Sequence, residues 1–87
     1  MIPFIRLHPA DDVVIARTQL VGGTPIESVT SRGLIPPGHK MAVRAIAAGE
    51  DVVKYGLPIG HVTGDIQPGQ WLHTHNVKTN LSGEVEY

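Results

Sequence analysis

Turn-forming residues interrupt this chain so often that no long helix fits between them. Gly22-Gly23, Gly33, Pro36-Pro37-Gly38, Gly49, Gly56, Pro58, Gly60, Gly64, Pro68-Gly69 and Gly83 divide it into short segments. Glycine and proline are the residues that a helix interior tolerates worst. Short strands are what such punctuation allows. Phe4 to His8, Val13 to Ala16, Met41 to Ile46, Asp51 to Lys54, Ile59 to Thr63 and Gln70 to His75 are the candidates, several rich in the β-branched residues that suit a pleated surface. The expected fold is mostly β: one domain over residues 1–87, with tight Pro-Gly turns and room for one short helix. That helix would occupy residues 42–48, which are rich in alanine, but Gly49 stops it early and strand is the preferred reading.

Pro37-Gly38, Ala48-Gly49 and Pro68-Gly69 each precede a short polar pair and then an apolar segment. Their uneven spacing makes this shared turn grammar and not a stacked repeat. Residues 17–33 read as a connecting arm, loop or a single helical turn around Thr24-Pro25 and Ser28-Val29-Thr30-Ser31. At the end of the chain, Glu84 and Glu86 fall on one side of an extended backbone and Val85 and Tyr87 on the other, the pattern of a last edge strand or a docking segment.

Size and charge narrow the function. With 87 residues the chain can bury a modest core but has little room for a deep pocket of its own, so catalysis would call for a partner. Seven Lys and Arg stand against eight Asp and Glu, and no basic stripe alternates with aromatics, which argues against nucleic acid. An anionic metabolite needs only one or two local cations and stays open. The absence of cysteine removes disulfides, thiolate metal sites and a thiol nucleophile. No apolar run is long enough to span a bilayer and the start lacks a signal-like h-region, so the expectation is a cytoplasmic protein with no membrane partner.

The chemistry-bearing stretch is His73-Thr74-His75-Asn76. If Gln70 to His75 is a strand, the two imidazoles leave it on the same side and can meet one divalent metal, or one can bind metal beside a proton-transfer partner. The plainer reading packs one histidine inside and leaves the other at the surface. Two histidines cannot complete a coordination shell, so water, substrate or another chain would supply the rest. Asn76 either holds a turn together or binds a substrate hydroxyl. Gly38-His39-Lys40 presents an imidazole and a cation from a tight loop, an arrangement suited to a carboxylate. Lys54-Tyr55-Gly56 joins two strands, and its glycine suggests a turn that pushes Lys54 or Tyr55 outward. Asp11-Asp12 and Glu50-Asp51 read as turn carboxylates facing water, and His8 and His61 as surface or packing residues. Neither a Gly-x-Ser-x-Gly elbow nor a phosphate-cradling Gly-rich loop occurs.

Pro37-Gly38-His39-Lys40-Met41-Ala42, Ile46-Ala47-Ala48-Gly49-Glu50, Val53-Lys54-Tyr55-Gly56, Ile59-Gly60 and His73-Thr74-His75-Asn76-Val77 occur in an order that resembles the amino-terminal SAF domain of the altronate and galactarate dehydratase family. The chain is similar as well to the free-standing small subunit of sulfolactate sulfo-lyase. The resemblance implies a β-clip fold and a lyase that removes water, or sulfite, from a sugar acid or hydroxy acid with a divalent metal, Fe2+ first and Mn2+ or Zn2+ as alternatives. It implies His73 and His75 near that metal, Lys40 or Lys54 near the substrate carboxylate, and His39 assisting proton transfer; His39 and Lys40 are thus the catalytic candidates, and Lys40, Lys54, Tyr55 and Asn76 the substrate-binding ones. It further implies a large catalytic lyase subunit as partner; exposed strand edges leave homo-oligomers open. The alternative is a non-catalytic sugar-acid-binding or assembly module of the same complex.

Overall fold

The computed structural model describes residues 2–79; the edge strand or docking segment read at residues 82–87 lies outside them. The described chain folds into β1 (Phe4–Ile5), β2 (Val13–Ala16), β3 (Pro25–Ile26), β4 (Val29–Thr30), β5 (Lys40–Ala42), β6 (Asp51–Lys54), β7 (Leu57–Val62), β8 (Trp71–Leu72) and β9 (Val77–Lys78). All pairings are antiparallel. They form one sheet ordered β1-β2-β5-β8, a second ordered β6-β7-β9, and the β3-β4 hairpin. Among the described residues there is no helix, and so none long and apolar enough to cross a membrane.

The central sheet is buried on both faces, which explains why β2 reads Val-Val-Ile-Ala without polar alternation. Val13 and Ala42 point into one cluster with Ile46, Val52, Val62, Ile66, Leu72 and Val77. Val14 and Met41 point into the other with Ala16, Leu20, Ile26 and Ile35, flanked by Phe4 and Trp71. Each strand of the β2–β5 pair thus sends alternate side chains to opposite cores.

One turn module recurs in four of the eight connections between the described strands. A buried Leu or Ile forms an isolated bridge, the chain turns through a glycine of positive φ, and a strand begins two residues later. It occurs at Leu20–Pro25, Ile35–Lys40, Ile46–Asp51 and Ile66–Trp71, with Gly23, Gly38, Gly49 and Gly69 at φ between 80° and 88°. Each of those glycine N–H groups donates to a backbone carbonyl elsewhere: Ser31, Ala16, Val62 and Ala42. The modules also bridge in pairs, Leu20 with Ile35 in one core and Ile46 with Ile66 in the other.

Several expectations give way here. The segment Met41 to Ile46 is strand only through Ala42, and residues 42–48 form no helix; the chain bends after Ala42 so that Ile46 can bridge Ile66. Residues 17–33 are not an arm: they carry the β3–β4 hairpin, which buries Ile26. Strand β1 stops at Ile5 instead of reaching His8, and β7 starts at Leu57 instead of Ile59. The segment Gln70 to His75 contains strand only at Trp71–Leu72, because Asn76 closes a turn directly afterwards.

Candidate active-site corner

The pairing of β5 with β8 builds the corner. Lys40 lies opposite Leu72 and Met41 opposite Trp71; carrying that antiparallel register one step further brings His39, just before β5, beside His73, just after β8. Their rings stack with centroids 4.1 Å apart and 27° between planes. The Trp71 indole N–H donates to His39 Nδ1 at 3.0 Å, and the His75 ring lies against the same indole, centroids 4.6 Å apart and tilted by 47°.

His73 and His75 are therefore turn residues and not neighbours along a strand face. Val77 and Asn76 both donate their backbone N–H to the His73 carbonyl, at 3.0 and 3.1 Å. The buried Asn76 side chain completes the turn: its Oδ1 accepts the His73 N–H at 3.0 Å and its Nδ2 donates to the Trp71 carbonyl at 2.9 Å. Both ends of the Asn76 amide are engaged by backbone, so of the two readings the turn role is the one this geometry carries. The imidazoles also face different concavities. His73 lines, with Lys40, Val52, Leu72 and Thr74, a small pocket of about 10 Å³. His75 lines, with Arg32, Gln70 and Trp71, an open groove of about 270 Å³.

The corner is electropositive and partly dry. Burial holds the Lys40 ammonium below its ordinary pKa, and the charge of Lys54 lowers it further. Burial likewise lowers His73 from the ordinary imidazole value, reinforced by His39, Lys40 and His75. His39, His73 and His75 thus come together around Trp71, with Lys40 beside His73 in the small pocket and Lys54 near enough for its charge to act on Lys40. Tyr55 does not join their ring stack: it stands 66% exposed at φ 57° in the two-residue Tyr55-Gly56 turn between β6 and β7. Both turn residues have positive φ, the conformation that fits the twist of a tight hairpin. The first pocket has room for about one water molecule and none for a sugar acid. Among the described residues no three His, Asp or Glu side chains gather around a common point to hold a metal ion, and these residues do not build a metal site by themselves.

A second polar corner was misread from the sequence. Asp11 and Asp12 are buried, 5% and 6% exposed. Asp12 Oδ1 accepts from Arg44 Nε at 2.6 Å and its Oδ2 from the Val53 N–H at 2.8 Å. Asp11 Oδ1 accepts the Gly56 N–H at 2.8 Å. These carboxylates tie the start of β2 to the β6–β7 hairpin, and the donors lie more than 30 residues away in sequence, where no local pattern announces them.

The described chain is a small antiparallel β domain with two corners rich in polar side chains, one buried and one open to solvent. It belongs to the altronate/galactarate dehydratase SAF domain family, which it matches over residues 2–80. It is 42% identical to an altronate dehydratase of Escherichia coli over 97% of this chain and 18% of that protein. It is 35% identical to the (2R)-sulfolactate sulfo-lyase subunit alpha of Chromohalobacter salexigens, over 84% of this chain and 90% of that subunit. The corresponding subunit of Paracoccus pantotrophus is 47% identical over 59% of this chain and 76% of its own length. The chain spans about a fifth of the altronate dehydratases it matches and most of the sulfo-lyase subunits.

Proposed function

We propose that this domain supplies one wall of a lyase active site, completed by a large catalytic region or subunit, that removes a β-substituent from a hydroxy acid or sugar acid. The observation that carries the reading is the gathering of His39, His73 and His75 around Trp71, with Lys40 beside His73 and within reach of the charge of Lys54. Its kinship with dehydratases and with a sulfo-lyase subunit supports a lyase-type reaction. The shallowness of its own concavities explains the need for a second wall.

In such an elimination the substrate carboxylate must be held, the proton beside it removed, and the leaving group protonated as it departs. Lys54 would supply the positive charge for the carboxylate, with Lys40 adding to it once it has taken up a proton. Lys40, whose ammonium burial already disfavours, can take up a proton in its neutral form. His39 would offer an N–H hydrogen bond to a departing oxygen, and the proton taken up by Lys40 would leave with it. A divalent metal, Fe2+ or else Mn2+ or Zn2+, stays in this reading only as a group held mainly by the completing polypeptide, with His73 or His75 contributing one nitrogen. When bound it would stabilise negative charge developing on the substrate.

The test is to reconstitute the domain with its completing lyase polypeptide and replace His73 and His75 by alanine. Turnover should vanish while the complex still forms on a sizing column. A complex that assembles and turns over normally would instead favour the assembly module.

A further inference from the structure

We propose that Trp71 is a positioning residue that fixes the proton of His39 on Nε2, so that this imidazole presents an N–H donor and not a lone pair beyond Trp71. An indole nitrogen only donates, so the 3.0 Å contact has one possible direction: Trp71 Nε1–H to His39 Nδ1. A neutral imidazole carries a single proton, and with Nδ1 accepting, that proton sits on Nε2. His39 can then donate to a carboxylate, hydroxyl or leaving oxygen, and neither of its nitrogens offers a metal a free lone pair. The inference rests on the lyase reading only for what the donor acts on; the tautomer itself follows from the hydrogen bond.

The turn modules supply an independent argument that His39 is released for this purpose. His39 is the residue just after the positive-φ glycine, and its three counterparts all bond within their own turns. Thr24 Oγ1 donates to the Val21 carbonyl at 2.7 Å, Glu50 Oε1 accepts the Ala47 N–H at 2.7 Å, and Gln70 Oε1 accepts the Gln67 N–H at 2.9 Å. In the His39 module the residue matching Ala47 and Gln67 is Pro36, which has no N–H to satisfy. The side chain at position 39 is thereby freed to reach across the sheet, where Trp71 meets it. The His73 ring stacked on His39 holds the imidazole plane.

The experiment is long-range 1H–15N correlation of the 15N-labelled chain at a pH above the imidazole range, with His39 assigned through His39→Gln. In the unmodified chain, Nδ1 of His39 should resonate as an unprotonated nitrogen and Nε2 as a protonated one. Trp71→Phe keeps an aromatic ring and deletes the donor; the two nitrogens should then shift toward each other as the Nδ1–H form gains population. A Nδ1–H or free-imidazole pattern in the unmodified chain would overturn the proposal even if the variant failed to fold, and so would an unchanged His39 pattern in folded Trp71→Phe. In the reconstituted lyase, adding Trp71→Phe to His39→Gln should slow turnover no further than His39→Gln alone; additive losses would contradict a role exerted through His39. If the complex had no lyase activity, the function proposed above would fail and the tautomer would still stand.

Discussion

The domain has two corners rich in ionisable side chains, and they are built to opposite ends. At Asp11-Asp12 the carboxylates are buried, and the hydrogen bonds they accept come from the protein itself: Gly56 N–H for Asp11, Val53 N–H and Arg44 for Asp12. At the other corner the rings of His39, His73 and His75 lean on Trp71, and His39 on His73, beside Lys40 at a surface open to solvent. Asp12 has both carboxylate oxygens taken up by the fold and contributes structure, while Asp11 bonds through Oδ1 alone and its buried Oδ2 has no hydrogen-bond partner among the described residues; the imidazoles of the other corner are held by ring contacts at a surface a ligand can reach. That contrast separates the two corners more sharply than charge or residue type does.

The comparison is broken most directly at Asp12. Asp12→Ala leaves the Val53 N–H and the Arg44 Nε–H without their acceptor, a loss of about 2 kcal/mol; urea unfolding should show it as a clear fall in midpoint. At the open corner the balance reverses. Lys40→Met removes an ammonium that burial opposes, so stability should change by less than about 1 kcal/mol, while the reconstituted lyase should bind its acid substrate at least 10-fold more weakly. Acid sharpens the distinction further. The folded chain holds His73 below its ordinary value of 6.5, so above that pH neither folded nor unfolded chain is charged there and nothing is lost. As pH falls below 6.5 the unfolded chain takes up the proton first, so His73 should destabilise the fold on acidification, and His73→Gln should flatten that part of the stability profile. The smallest effect belongs to the Arg6–Glu27 pair at 2.7 Å. Glu27 is lowered by its hydrogen bond from Arg6, so the pair's contribution, about 0.5 kcal/mol, is present above the ordinary glutamate range and lost as pH falls through the depressed value. Glu27→Gln should remove that loss.

The sequence made the class of the fold legible because glycine and proline act locally. Val13–Ala16 and Asp51–Lys54 are strands over the expected residues, and three of the four turn modules show in the shared grammar of Pro37-Gly38, Ala48-Gly49 and Pro68-Gly69. The fourth, at Gly22-Gly23, went unread, and with it the β3–β4 hairpin, because its two-residue strands are held by pairing with each other and not by any apolar run. The candidate residue types were legible, and of them His39, His73 and His75 gather around Trp71 with Lys40 beside His73, while Tyr55 stands apart in its turn and Asn76 is engaged by backbone. The way the rings gather was not legible, since it depends on the β5–β8 register and on Asn76 closing a turn, both set by tertiary hydrogen bonds. The burial of Asp11 and Asp12 was hidden for the same reason.

The most direct test measures turnover and unfolding midpoint together for His39→Gln and Asp12→Asn, each in the domain reconstituted with its completing lyase polypeptide. The expected result is a turnover loss of about 100-fold or more with a nearly unchanged midpoint for His39→Gln, and a lowered midpoint for Asp12→Asn with turnover retained by the fraction still folded. Full turnover in His39→Gln, or a catalytic loss in folded Asp12→Asn as large as the one expected at His39, would contradict the assignment of chemistry to the open corner and of structure to the closed one.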